Sequence, residues 1–155
     1  MTSLISNLRT LVFFFLLSAP LCFGQEQDIT TQIAALKRME AMEPDNPSPK
    51  YQTVLACLNY AVMNPHAEPT ERLLAEAEQT LAQLEQMKNA DQSNNCALRG
   101  FLYMVRIVQD PATNGQRYYL EVQQDFEKAL KLNPDNELAK QLQQKFQEGM
   151  RQAGR

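Results

Sequence analysis

From position 28 onward the apolar residues recur at helical spacing. Leu74, Ala77, Leu81 and Leu84 form one stripe against a Glu/Gln face, and Leu138, Leu142 and Phe146 form another at i, i+4, i+8. Six helices are predicted, over 28–42, 50–63, 71–88, 95–109, 117–132 and 137–150, with no credible strand. The breaks have recognisable chemistry. In "EPDNPSP" Ser48 can cap and Pro49 can take the first helical position, Thr70 can cap the next helix, and Asp135 or Asn136 can cap the last. The fold class expected is all-α, built of antiparallel helix pairs.

Three junctions, "MEPDNP", "MKNADQ" and "LNPDNE", stand 45 residues apart, at Pro44, Asn89 and Pro134. The same step aligns Leu36 with Leu81 and Phe126, Met39 with Leu84 and Ala129, and Met42 with Met87 and Leu132. A fixed period in this range marks a helical repeat in which each unit buries its apolar face on the next. The glutamine-rich "KQLQQKFQEGMRQ" suits a capping helix at the end of such a stack, and an incomplete cap would favour self-association.

At "DFEKALKLNPDNELA" the chain resembles the tetratricopeptide-repeat family: Val122, Phe126, Ala129 and Pro134 stand at that family's second-helix positions. Gly100 with Tyr103, and Cys57 with Tyr60, match its small-then-aromatic step in the first helices, and Ala77, Leu81 and Leu84 match the earlier second helix. Val122 departs from the usual alanine, Cys96 from a large aromatic and Asn89 from the closing proline, and the period exceeds the family's 34 residues. The resemblance implies a short α-α solenoid of about two full repeats with flanking helices. It also implies a concave face of first helices that receives an extended peptide, with Thr53, Tyr60, Arg99, Tyr103 and Arg106 facing it.

Arg99 and Arg106 interrupt the otherwise apolar "CALRGFLYMVRIV" on one face, with Tyr103 between them. Either the guanidiniums grip a partner's carboxylate, or they bury their stems and pair with neighbouring acids such as Glu78 or Glu121.

Composition narrows the remaining chemistry. Residues 1–24, with Arg9 ahead of a short apolar run and no acid before Glu26, read as a cleaved export signal cut after Gly24. Lipid anchoring at Cys22 is the lesser reading, because bulky Leu21 precedes it. The domain expected covers 25–151, with 152–155 frayed. Removing 24 of the 155 residues leaves 131, and losing Arg9 takes the formal charge from −3 to −4. That mild acidity lacks the basic stripe of a nucleic-acid surface, and no later run is long and apolar enough for a membrane span.

The segment "DPATNGQRYYLE" has the length and the Asn-Gly of a calcium loop, yet Ala112 and Arg117 stand at two of its key places, so it reads as a turn within a helix pair. Cys57 and Cys96 could pair in an oxidising compartment, but apolar packing is the reading favoured. His66 is the lone histidine, and no nucleophile elbow, Cys-x-x-Cys or phosphate loop occurs. The expectation is therefore a non-catalytic module with no cofactor or metal, periplasmic or secreted, that binds a protein or peptide. The alternative is a self-assembling structural component of the envelope.

Overall fold

The computed structural model describes residues 25–153; the expected export signal, including Cys22, and residues 154–155 lie outside them. Six α-helices make up these residues: α1 (Gln25–Met42), α2 (Pro47–Met63), α3 (Thr70–Gln86), α4 (Gln92–Gln109), α5 (Pro111–Leu132) and α6 (Glu137–Ala153). Among the described residues there is no strand. The tightest neighbours are α4 with α5 and α2 with α3, while α1 packs on α2 and α6 packs on α4 and α5.

The 45-residue step is written into the helix starts. Side chains at 46, 91 and 136 accept the first free N–H groups: Asn46 from Ser48 at 2.9 Å, Asp91 from Asn94 at 3.0 Å and Asn136 from Ala139 at 3.0 Å. Each satisfies an otherwise orphaned donor, which is worth about 1 kcal/mol per cap. The caps expected at Ser48 and Thr70 are corrected: Ser48 lies inside the first turn of α2, and the Thr70 hydroxyl donates back to the Asn64 carbonyl.

The expected loop over 110–116 is also corrected, because α5 begins at Pro111. Asp110 ends α4 through its N–H to the Arg106 carbonyl and starts α5 by accepting from Thr113 at 3.2 Å. A capping acid followed by proline at the first helical position outweighs the roughly 1 kcal/mol that Gly115 costs in a helix. The Asn114 side chain donates to the Arg106 carbonyl at 2.7 Å, so the amide that suggested a turn locks the helix pair instead.

The periodic positions are only partly equivalent. Leu81 and Phe126 are buried and Leu36 is half-buried, but Met39 is 53% exposed where Leu84 and Ala129 are buried, and Met42 and Leu132 are exposed. No helix among the described residues covers the outer side of α1, and positions 42 and 132 end their helices beyond the packed turns. At the other end, Gln144, Gln147 and Arg151 of α6 meet solvent, as befits a cap.

The core runs through α4. Phe101, Leu98, Met104 and Val105 are fully buried with Phe126, Leu58, Leu73 and Leu74 around them. Gly100 permits the closest approach: a Cβ there would stand 2.7 Å from the Phe126 ring. Cys57 and Cys96 are buried and unpaired, and burial pushes the Cys57 thiol up to about 12.

Two outcomes follow from this packing. Gly100→Ala should lower the urea midpoint by a stability loss of about 1–2 kcal/mol, since overpacking against a buried ring exceeds the gain in helix propensity. A thiol-reactive dye near pH 8 should label Cys57 only once denaturant is added, because its thiolate is scarce and enclosed. Rapid labelling of the native chain would contradict the burial.

Candidate ligand groove

Helix α4 is enclosed by α2, α3, α5 and α6, and the part of its surface beyond its first turn that is not buried is the stripe Arg99, Tyr103, Arg106 and Gln109. These positions share one face by helical spacing. Their partners show that the stripe floors a groove walled by α3 and α5.

Arg99 reaches both walls. Its Nε donates to both oxygens of Asp125 at 3.0 Å, its Nη2 to Asp125 Oδ1 at 2.6 Å, and its Nη1 to Glu85 Oε1 at 2.8 Å. The hydrogen bonds to Asp125 raise the guanidinium's pKa further above its already high ordinary value, against the opposing effect of burial. Asp125 is itself buried.

Arg106 donates to Glu71 at 2.9 Å and Glu78 at 2.8 Å, and Gln109 ties the cluster to Glu71 and to the Pro65 carbonyl. Burial alone would lower the Arg106 pKa, but the bonds to Glu78 and Glu71 outweigh it. Conversely, the hydrogen bond from Arg106, then that from Gln109, holds the Glu71 carboxyl below its usual range.

Between the arginines, Tyr103 stacks on Tyr118 of α5 with ring centres 4.9 Å apart and planes within 8°. The Arg117 guanidinium lies 4.9 Å from the centre of the Tyr118 ring, a cation–π contact, and Arg117 makes no ion pair among the described residues. Burial raises the Tyr103 phenol, which stays protonated at neutral pH. The next residue of α5, Tyr119, tilts against Phe146 of α6 at 5.6 Å. Beside Arg106 the groove meets a hollow of about 390 Å³, lined by Pro65, His66, Thr70 and Asn114.

Of the residues expected on a receptive face, Arg99, Tyr103 and Arg106 come together here. Tyr60 does not join them: it is half-buried on α2 and packs against the core. Thr53 is a correction, because it is 1% exposed and its hydroxyl donates to the Pro49 carbonyl one turn back. Of the two acids named as examples of partners, Glu78 pairs with Arg106, while Arg99 takes Asp125 and Glu85. Arg117 and Tyr118 open the expected helix 117–132, but no local signal marks them as site residues; on α5, Tyr118, Val122 and Asp125 share one face.

Asp110 and Asn114, two ligands of the calcium reading, are engaged in capping and in the bond to Arg106. Among the described residues no cluster of three or more His, Cys, Asp or Glu could hold a metal ion, and no helix is long and apolar enough to cross a membrane.

No family model and no curated protein matches the chain. Among solved structures it is similar to the HusA haemophore from Porphyromonas gingivalis, at 26% identity and a TM-score of 0.68. The match covers 92% of this chain but 65% of the haemophore, so the chain spans a little under two thirds of that protein's length.

The ion pairs can be tested without a ligand. In Arg106→Ala the Glu71 carboxyl should titrate at a higher pH than in the parent, followed by carbon NMR. The pair's small contribution to stability is present above the ordinary carboxylate range and fades as pH falls through the depressed Glu71 value, since protonation then favours the unfolded chain. An unchanged Glu71 titration would show that the contact is absent in solution.

Proposed function

We propose that the chain is a non-catalytic binding protein of the cell envelope whose groove captures a flat aromatic ligand of the haem class. The observation that carries this reading is the parallel Tyr103–Tyr118 pair with Arg117 over it, in a chain similar over most of its length to a haemophore. Because one face of Tyr118 meets Tyr103 and Arg117 lies over the ring, a porphyrin would meet the pair edge to face along the groove. Arg117, which has no carboxylate partner among the described residues, suits a propionate at the ring edge. The reading of residues 1–24 as an export signal fits a protein that meets such a ligand outside the cytoplasm.

An acidic peptide suits the groove less well. Arg99 and Arg106, the two guanidiniums it would need, already face four carboxylates, those of Glu71, Glu78, Glu85 and Asp125. A bound acid would have to displace one of them. Self-assembly has one observation in its favour, the exposed Met39 and Met42 on the uncovered side of α1.

Titrating haem into the chain should give a saturable change in the Soret band. Metal-free protoporphyrin should bind comparably, because the groove contacts the ring. Replacing both Tyr103 and Tyr118 by alanine should weaken binding by about tenfold or more with helical circular dichroism retained, since each lost aromatic contact costs about 0.5–1.5 kcal/mol. Arg117→Ala should weaken it several-fold. No saturable spectral change, or variants that bind like the parent, would refute the assignment; light scattering that shows a stable oligomer without haem binding would favour self-assembly.

A further inference from the structure

A second pocket lies away from the groove, where the first turns of α2 and α4 meet. It has a volume of about 200 Å³ and is lined by Pro47, Ser48 and Tyr51 of α2, Leu84 of α3, and Asp91, Asn94 and Asn95 at the start of α4. Asn95 is 2% exposed, and its Nδ2 has no hydrogen-bond partner among the described residues. An amide nitrogen left so enclosed costs about 1–3 kcal/mol, and a half-turn of the amide's terminal torsion would turn it toward the pocket, where a ligand acceptor can meet it.

The 45-residue period says what is missing. One unit further on, between α4 and α6, the equivalent space is closed by Asn136. Its Nδ2 donates to Ser93 Oγ at 2.8 Å and to Asn94 Oδ1 at 2.9 Å, while Ser93 Oγ donates to the Ala129 carbonyl. Stepping back 45 residues puts Asp91 in the place of Asn136, Ser48 in that of Ser93 and Leu84 in that of Ala129. Asp91 keeps the capping role but, as a carboxylate, has no N–H to give. The hydroxyl of Ser48 accordingly has no partner among the described residues, although that of Ser93 has two. Thus one junction is sealed by a carboxamide and its counterpart stands open for want of one.

We infer that this pocket takes a primary carboxamide on a short aliphatic stem, the group carried by a glutamine or asparagine side chain of a partner. The ligand's carbonyl accepts from the Asn95 amide and the Ser48 hydroxyl, its NH₂ donates to the free oxygen of Asp91, and its stem lies on Leu84 and Pro47. That half-turn moves the Asn95 Oδ1 into the enclosed place and leaves the nitrogen as the donor offered to the ligand. A carboxylate of the same shape is disfavoured, because Asp91 would repel it. This site is independent of the haem reading and stands or falls separately.

Propionamide is the probe. Added to the ¹⁵N-labelled chain, it should shift the side-chain NH₂ signals of Asn95 and Asn94 saturably, and propionate should not. Asp91→Asn keeps an equally good cap and restores the donor that Asn136 supplies at the next junction. It should fold with an equal or higher melting temperature and bind propionamide about tenfold more weakly, the equivalent of one lost hydrogen bond. Ser48→Ala, at an exposed site, should weaken binding several-fold. The inference fails if the parent shows no saturable shift and the pocket holds only exchanging water, if propionate shifts the same signals, or if Asp91→Asn responds as strongly as the parent.

Discussion

Everything the molecule can offer a ligand is constrained by the burial of α4. A helix surrounded by four others spends its side chains on packing, and Gly100 lets the Phe126 ring come within a distance that no Cβ would tolerate. That contact draws α5 onto α4, which places Tyr118 over Tyr103 and Asp125 beside Arg99. The groove is thus a by-product of core packing: its floor is the part of α4 that the core left over.

The charges in the groove do structural and selective work together. Half-buried guanidiniums need carboxylates because an unpaired charge there would lose its hydration without compensation. Once four acids are supplied to two arginines, the groove no longer attracts anions as a field. Among the described residues of the groove, Arg117, resting on an aromatic face, is the cation without a carboxylate, so the surface combines an aromatic stack with a positive rim.

Much of this architecture is readable without coordinates, because caps, prolines and apolar stripes act locally. The six helices, their order, the 45-residue step and the polar last helix all rest on such signals. What resisted was tertiary. The "PATNGQ" stretch has turn-forming residues, yet Asp110 and Pro111 start a helix through it, and the stack of Tyr118 on Tyr103 depends on how α5 packs on α4, which no local pattern shows. Arg99 pairs with Asp125, which lies one turn beyond Glu121 along α5 on nearly the same face and so within reach of the guanidinium. Thr53 shows the converse: a hydroxyl that could have faced a ligand instead bonds the carbonyl four residues back, a habit of threonine in helices.

The two walls of the groove differ in how they are attached. On one side a single residue, Asp110, closes α4 and opens α5, and no linker intervenes, so that corner has little torsional freedom. On the other, α3 follows a stretch of turns from Asn64 to Pro69 that is held by the bonds of Gln109 to Pro65 and of Thr70 to Asn64. If the cleft adjusts its width to an occupant, the compliance therefore resides in the α3 side, with the tyrosine-bearing wall acting as a fixed jaw.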